Sequence, residues 1–175
     1  MRYECLQSMI LRCLSASLVL LALNVPSGFA QSQNTNVGFN EAQVKAAFLF
    51  RLPKFIRWPD GRTSHHFCFE QESAVFETLK ALANAAPLGT QVSIVGEDPN
   101  LSCDVVFNAN ANFNAQEHHL LLVSDTKNFA KDGGMIEISR RGSRLHMLIN
   151  TVSLERVDLV PSSQLLMLST LVSTN

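Results

Sequence analysis

Apolar residues recur along this chain with two different periods, and the changes of period mark its elements. After a polar stretch from Gln31 to Phe39, Asn40 offers a helix N-cap, with Gln43 three residues on to complete a box-like pair. From Glu41 to Trp58, Val44, Phe48, Leu52 and Phe55 return at helical spacing, and Ala46 and Ala47 favour helix. Pro53 lies inside this run and must bend or split it, because proline lacks the amide donor and clashes with the previous turn. Pro59-Asp60-Gly61 ends the element.

Beyond that turn the spacing predicts a strand at His66-Phe67-Cys68-Phe69, a helix from Ser73 to Asn84 and a strand from Gln91 to Val95. Val75, Phe76, Leu79 and Leu82 form the apolar side of that helix, and Leu88-Gly89 turns the chain out of it. Further strands are expected at Cys103–Phe107 and at His119–Ser124 (HLLLVS), with an asparagine-rich segment, Asn108 to Gln116, between them. Continuously apolar strands of this length suit a sheet covered on both faces. A loop or a helical turn is expected around Phe129. Asp132-Gly133-Gly134 then launches a strand from Met135 to Ser139, and Arg140-Arg141-Gly142-Ser143 turns it back into Arg144–Asn150 as a hairpin. A short helix near Ser153–Val157 and a second over Ser162–Leu171 close the chain, with Leu165, Leu166, Leu168 and Leu171 as the buried face of the last. Strands separated by helices, followed by a hairpin, define an α/β single-domain sandwich: a mostly parallel sheet of about six strands with an antiparallel C-terminal hairpin, flanked by helices.

Residues 1–30 stand apart from this pattern. Arg2 and Arg12 precede an apolar run from Cys13 to Val25, and Pro26-Ser27-Gly28-Phe29-Ala30 supplies a breaker and small residues. This is the layout of a secretory signal, with cleavage expected after Ala30. The alternative, a membrane anchor, needs roughly 20 apolar residues, and this run has about 13. The organisation read from the sequence is therefore a leader at 1–30, a loose mature N-terminus at 31–39 and one domain at 40–175. Export would leave Cys68 and Cys103, and an even pair in an oxidising compartment points to one disulfide, worth roughly 3–4 kcal/mol in the chain-entropy model. The alternative is two free buried thiols.

Composition excludes more than it selects. The chain is 46% hydrophobic and 17% charged, with a net charge of −1, so it can bury a core and has no basic run to follow nucleic acid. It carries no GxSxG elbow, no HExxH and no glycine-rich phosphate cradle, so no catalytic residue is assigned and no cofactor is implied. Cys68 and Cys103 are far apart for a metal site, and there is no CxxC. Adjacent strand residues point to opposite faces, so His65-His66 and His118-His119 each offer one ligand at most. They read as exposed strand-end histidines and His146 as an ordinary sheet residue, so no metal is expected. Arg140, Arg141 and Arg144 cluster at the hairpin tip, either as a dock for an acidic partner or as a solvated turn. Phe50, Phe55 and Trp58 make either a binding stripe or part of the core. Asn100-Leu101-Ser102 matches a glycosylation acceptor, a pattern that recurs by chance.

Two segments resemble the YfiR family of periplasmic proteins. Val44-Lys45-Ala46-Ala47-Phe48-Leu49-Phe50, continuing through Lys54-Phe55-Ile56-Arg57-Trp58-Pro59, is similar to that family's opening helix. Phe129-Ala130, Gly133-Gly134-Met135-Ile136, Gly142-Ser143-Arg144, Ile149-Asn150 and Ser162-Ser163-Gln164-Leu165-Leu166-Met167-Leu168 follow the family's later motifs in order. The resemblance implies a dimeric periplasmic regulator that binds the periplasmic portion of an inner-membrane diguanylate cyclase, represses it and so controls cyclic di-GMP and biofilm formation. It also implies redox sensitivity through disulfides, with Cys68 and Cys103 matching one family pair. The second pair of some relatives is missing, since Ile136 and Ile138 are apolar; Pro53, Ser143 and Leu148 also depart from the pattern. The resemblance implies no catalytic role and no membrane insertion. The competing reading is a periplasmic small-molecule sensor, with its ligand at the carboxyl ends of the parallel strands near Ser124-Asp125.

Overall fold

Helix α1 (Glu41–Arg51) starts where its cap is written. The Gln43 amide donates to Asn40 Oδ1 at 2.8 Å, and the Asn40 amide donates to Gln43 Oε1 at 2.9 Å, closing a reciprocal capping box. The structure is a computed structural model and describes residues 39–86, 89–97, 102–108, 119–141 and 144–173. The leader with its cleavage site, most of the 31–39 segment, Asn100-Leu101, the run after Asn108, His118 and Gly142-Ser143 lie outside the described residues. Pro53 splits the first helical run as expected: α1 gives way to a 3-10 turn, Leu52–Phe55, and then to the two-residue strand β1 (Ile56–Arg57).

The main sheet has seven strands in the order β3-β2-β4-β5-β6-β7-β9. These are β2 (His66–Phe69), β3 (Gln91–Ile94), β4 (Val105–Phe107), β5 (Leu121–Ser124), β6 (Ile136–Arg141), β7 (Arg144–Asn150) and β9 (Thr170–Val172). Every neighbouring pair is parallel except β6–β7, the hairpin. All residues of β2, β4 and β5 are buried, which requires cover on both faces of the sheet. The α/β class, the mostly parallel sheet and the antiparallel hairpin are those the periodicity predicts.

Helix α2 (Ala74–Ala85) is capped by Ser73, whose hydroxyl accepts from the Phe76 amide at 3.1 Å, and it packs against α1. Helix α3 (Thr151–Glu155) follows β7 without a loop, because Asn150 Oδ1 accepts from the Ser153 amide at 3.1 Å and acts as its cap. A separate antiparallel ribbon pairs β1 with β8 (Val160–Pro161), in register Ile56↔Pro161 and Arg57↔Val160. That ribbon fixes the start of α4 (Ser163–Met167) beside the end of the first helical segment.

The structure corrects three expectations. The last helix does not run to Leu171: it stops at Met167, and the chain re-enters the sheet as β9, parallel to β7. The Ser169 hydroxyl bonds back to the Leu165 carbonyl at the helix end, and ladder bonds replace the next turn. Leu168 and Leu171 are consequently not a buried face, being 70% and 55% exposed. Arg140 and Arg141 belong to β6 rather than to the turn, with Arg141 opposite Arg144 across the ladder. His65 and His66 are buried, not exposed strand-end residues.

Candidate functional site

Helix α1 carries apolar residues on two faces, and only one of them is core. Ala46, Leu49 and Leu52 are fully buried. Of the residues at helical spacing, Leu52 is in the core, while Val44, Phe48 and Phe55 sit with Ala47 and Arg51 along one wall of an apolar groove of about 460 Å³, Phe48 and Phe55 also packing against the core. Leu145 and Met147 of β7 form the floor side, and Leu165 and Leu168 of the α4 segment close the third side. The β1–β8 ribbon sets that closure, since the Ser162 amide donates to the Phe55 carbonyl at 2.8 Å. Met167, 80% exposed, and Leu171 are further exposed apolar residues of the same C-terminal segment. An exposed apolar groove of this kind is a candidate interaction site.

The basic residues of the hairpin flank this groove unequally. Arg140 borders a smaller hollow with Phe39, Glu41, Val44 and Leu145, two of which also line the groove. Its guanidinium lies 3.4 Å from Glu41 Oε2. Arg141 and Arg144 are exposed and face each other at the end of the ladder, a like-charge pair without an acidic partner among the described residues. Phe50 is half-buried on α1 and does not line the groove.

Trp58, offered as a partner-binding candidate or as core, proves to be core. It is 5% exposed, its indole Nε1 donates to the Pro53 carbonyl at 3.2 Å, and its ring packs on His65 with centroids 4.8 Å apart. Arg62 lies over the indole at 5.5 Å and pairs with Asp104. The Asp104 carboxylate also accepts from the His66 amide at 2.8 Å. Trp58 is therefore part of the core, not of a docking stripe.

Cys68 and Cys103 form a disulfide, with Cα atoms 5.8 Å apart. This is the single bond the even pair pointed to; β2 and β4 lie side by side in parallel, which brings the segment before β4 next to the middle of β2. His66, two residues before Cys68, shares its face of the strand. Its Nδ1 lies 3.0 Å from the Ser102 carbonyl and its Nε2 2.7 Å from Ser93 Oγ and 3.8 Å from Cys68 Sγ. A buried histidine–disulfide cluster thus sits in the sheet, a grouping the spacing of the motifs did not reveal.

The strand-end position at Ser124-Asp125 is occupied by the protein's own groups. Ser124 Oγ donates to Asn108 Oδ1 at 3.1 Å, and the Asp125 amide donates to the same oxygen at 3.0 Å. Lys45 Nζ reaches Asp125 Oδ2 at 2.7 Å and Glu41 Oε1 at 2.7 Å. Burial works to lower the Lys45 pKa, but the hydrogen bonds to Asp125 and Glu41 prevail and raise it. Among the described residues no helix is long and apolar enough to cross a membrane.

Fold and surface together define a small α/β domain with an apolar groove beside its first helix and a cross-strand disulfide in its sheet. The chain belongs to the YfiR/HmsC-like family, whose profile matches residues 42–170. This is a regulatory family tied to diguanylate cyclase signalling, and its members are periplasmic. A search of curated proteins returns no match to the chain.

Proposed function

We propose that this protein is a periplasmic repressor that binds the periplasmic portion of an inner-membrane diguanylate cyclase and holds it inactive. The reading is carried by the uncovered groove, Val44 to Leu168, on a domain of this family. The partner would insert apolar side chains between α1 and β7, while Arg51 and Arg140 at the rim select acidic neighbours. Repression requires that the protein bind the inactive cyclase more tightly than the active one, since only a difference in affinity shifts that equilibrium. Residues 1–30 act as a cleaved leader in this reading, residues 40–175 as the binding domain, and two copies act as a dimer without catalysis. Loss of repression raises cyclic di-GMP and favours biofilm formation.

The test is a pull-down from membranes with the wild-type protein and with the Val44→Glu, Leu168→Glu double variant, both sites being exposed. The wild type should recover a diguanylate cyclase, and the variant should lose it while keeping its melting temperature. Deletion should raise cyclic di-GMP. Failure to recover any cyclase, with cyclic di-GMP unchanged on deletion, rejects the proposal.

A further inference from the structure

The disulfide and its histidine neighbour carry an inference independent of any partner. His66 Nε2, Cys68 Sγ and Cys103 Sγ all lie within 4.8 Å of one another. A carbonyl oxygen can only accept, so the contact of His66 Nδ1 with the Ser102 carbonyl places the ring proton on Nδ1. With that proton on Nδ1, Nε2 faces Ser93 Oγ and Cys68 Sγ. Metal-bound histidines characteristically donate their other ring N–H to such a carbonyl, which fixes the tautomer and the ring orientation. Two of the surface hollows reach this histidine, one past Gln91 and Ser93 and one past Ser102 and Asp104.

We propose that reduction of Cys68–Cys103 converts this cluster into a site for a soft divalent cation, zinc(II), held by His66 Nε2 and the two thiolates. A dithiol supplies two electrons and two protons: its own sulfurs join as a disulfide while the Cys68–Cys103 bond opens to two thiols. Zinc then displaces both thiol protons to solvent and forms two Zn–S bonds. With Zn–S near 2.3 Å and Zn–N near 2.0 Å, tetrahedral ligands stand about 3.5–3.8 Å apart. The 3.8 Å between His66 Nε2 and Cys68 Sγ is already close to this; the two sulfurs must separate, and Cys103 Sγ, within 4.8 Å of Nε2, must settle at ligand distance, both by side-chain rotation. A water or the Ser93 hydroxyl takes the fourth position. While the disulfide is intact neither sulfur is a thiolate, so metal capture and oxidation exclude one another.

The experiment titrates zinc(II), and cobalt(II) as its coloured substitute, into the purified protein before and after anaerobic reduction. The reductant is a water-soluble phosphine, which becomes the phosphine oxide. The reduced protein should bind one cobalt(II) at this cluster, with thiolate-to-cobalt charge-transfer absorption and tetrahedral ligand-field bands; the oxidised protein should show neither. His66→Asn should weaken zinc binding about tenfold or more, and Cys68→Ser or Cys103→Ser should remove the two-thiolate spectrum. Circular dichroism accompanies each titration, and zinc restoring the folded signal of a reduced, loosened protein counts equally in favour. Equal cobalt binding by the oxidised protein, unchanged affinity in His66→Asn, or no uptake and no refolding after reduction overturns the proposal.

Discussion

Lys45 Nζ lies 2.7 Å from Asp125 Oδ2, joining residues 80 positions apart. The ion pair ties the middle of α1 to the residue that follows β5, and so fixes the helix whose outer face walls the groove. Lys45→Met should therefore lower stability by about 1–2 kcal/mol, after allowance for solvent screening of a part-exposed pair. The Lys45 pKa is raised on folding, so this stabilisation is complete below the unfolded value of 10.5 and is lost as pH rises through the higher folded value. Urea midpoints of wild type and variant should differ at neutral pH and converge at strongly alkaline pH.

His65 responds to acid. Burial beneath Trp58 is the main influence depressing its pKa, repulsion from Arg62 adds to it, and Asp60 opposes it. Its Nε2 has no hydrogen-bond partner among the described residues. The unfolded chain therefore takes up a proton near the ordinary value of 6.5 while the folded protein does not. Stability should fall as pH drops below that value and level off, for this group, below the lower folded pKa. Thermal melts from neutral to mildly acidic pH should show this slope in the wild type and a shallower one in His65→Gln.

Gly134 is required by its neighbour. A Cβ there would collide with the Phe129 ring, and the Gly134 amide donates to the Phe129 carbonyl at 2.8 Å. Gly134→Ala should destabilise by roughly 1–3 kcal/mol, the usual range for overpacking. Adding Phe129→Leu should recover part of that loss, because the two changes share one contact and will not add. Chemical denaturation of the single and double variants measures the coupling.

The disulfide closes a loop with a sequence separation of 35 residues. Constraint of the unfolded chain then contributes about 4 kcal/mol, so reduction without added metal should lower the denaturation midpoint by a corresponding amount. The Cys68→Ser, Cys103→Ser double variant should melt with the reduced wild type.

Much of the fold was legible because local signals agreed with it. Asn40 with Gln43 fixed the start of α1, Pro53 its end, and the apolar strands at Phe67 and Leu121 their place inside a parallel sheet. The C-terminal leucines misled, because Leu165, Leu166 and Leu168 fit a helix equally well, and only pairing of Leu171 with Ile149 decides for strand. Val44 and Phe48 illustrate a different limit. Periodicity reports that a face is apolar, not what covers it, so a groove wall and a core stripe read alike. The histidine–sulfur cluster was hidden because it depends on β2 and β4 being neighbours, a fact of topology rather than spacing.

The covalent link between Cys68 and Cys103 also makes the domain a mechanical fuse of limited length. Tension applied through the two chain ends travels across the sulfur bridge and never stretches the enclosed segment, which includes α2 and β3. Reducing the bridge should release about 120 Å of additional contour when single molecules are pulled apart, from the reach of 35 extended residues.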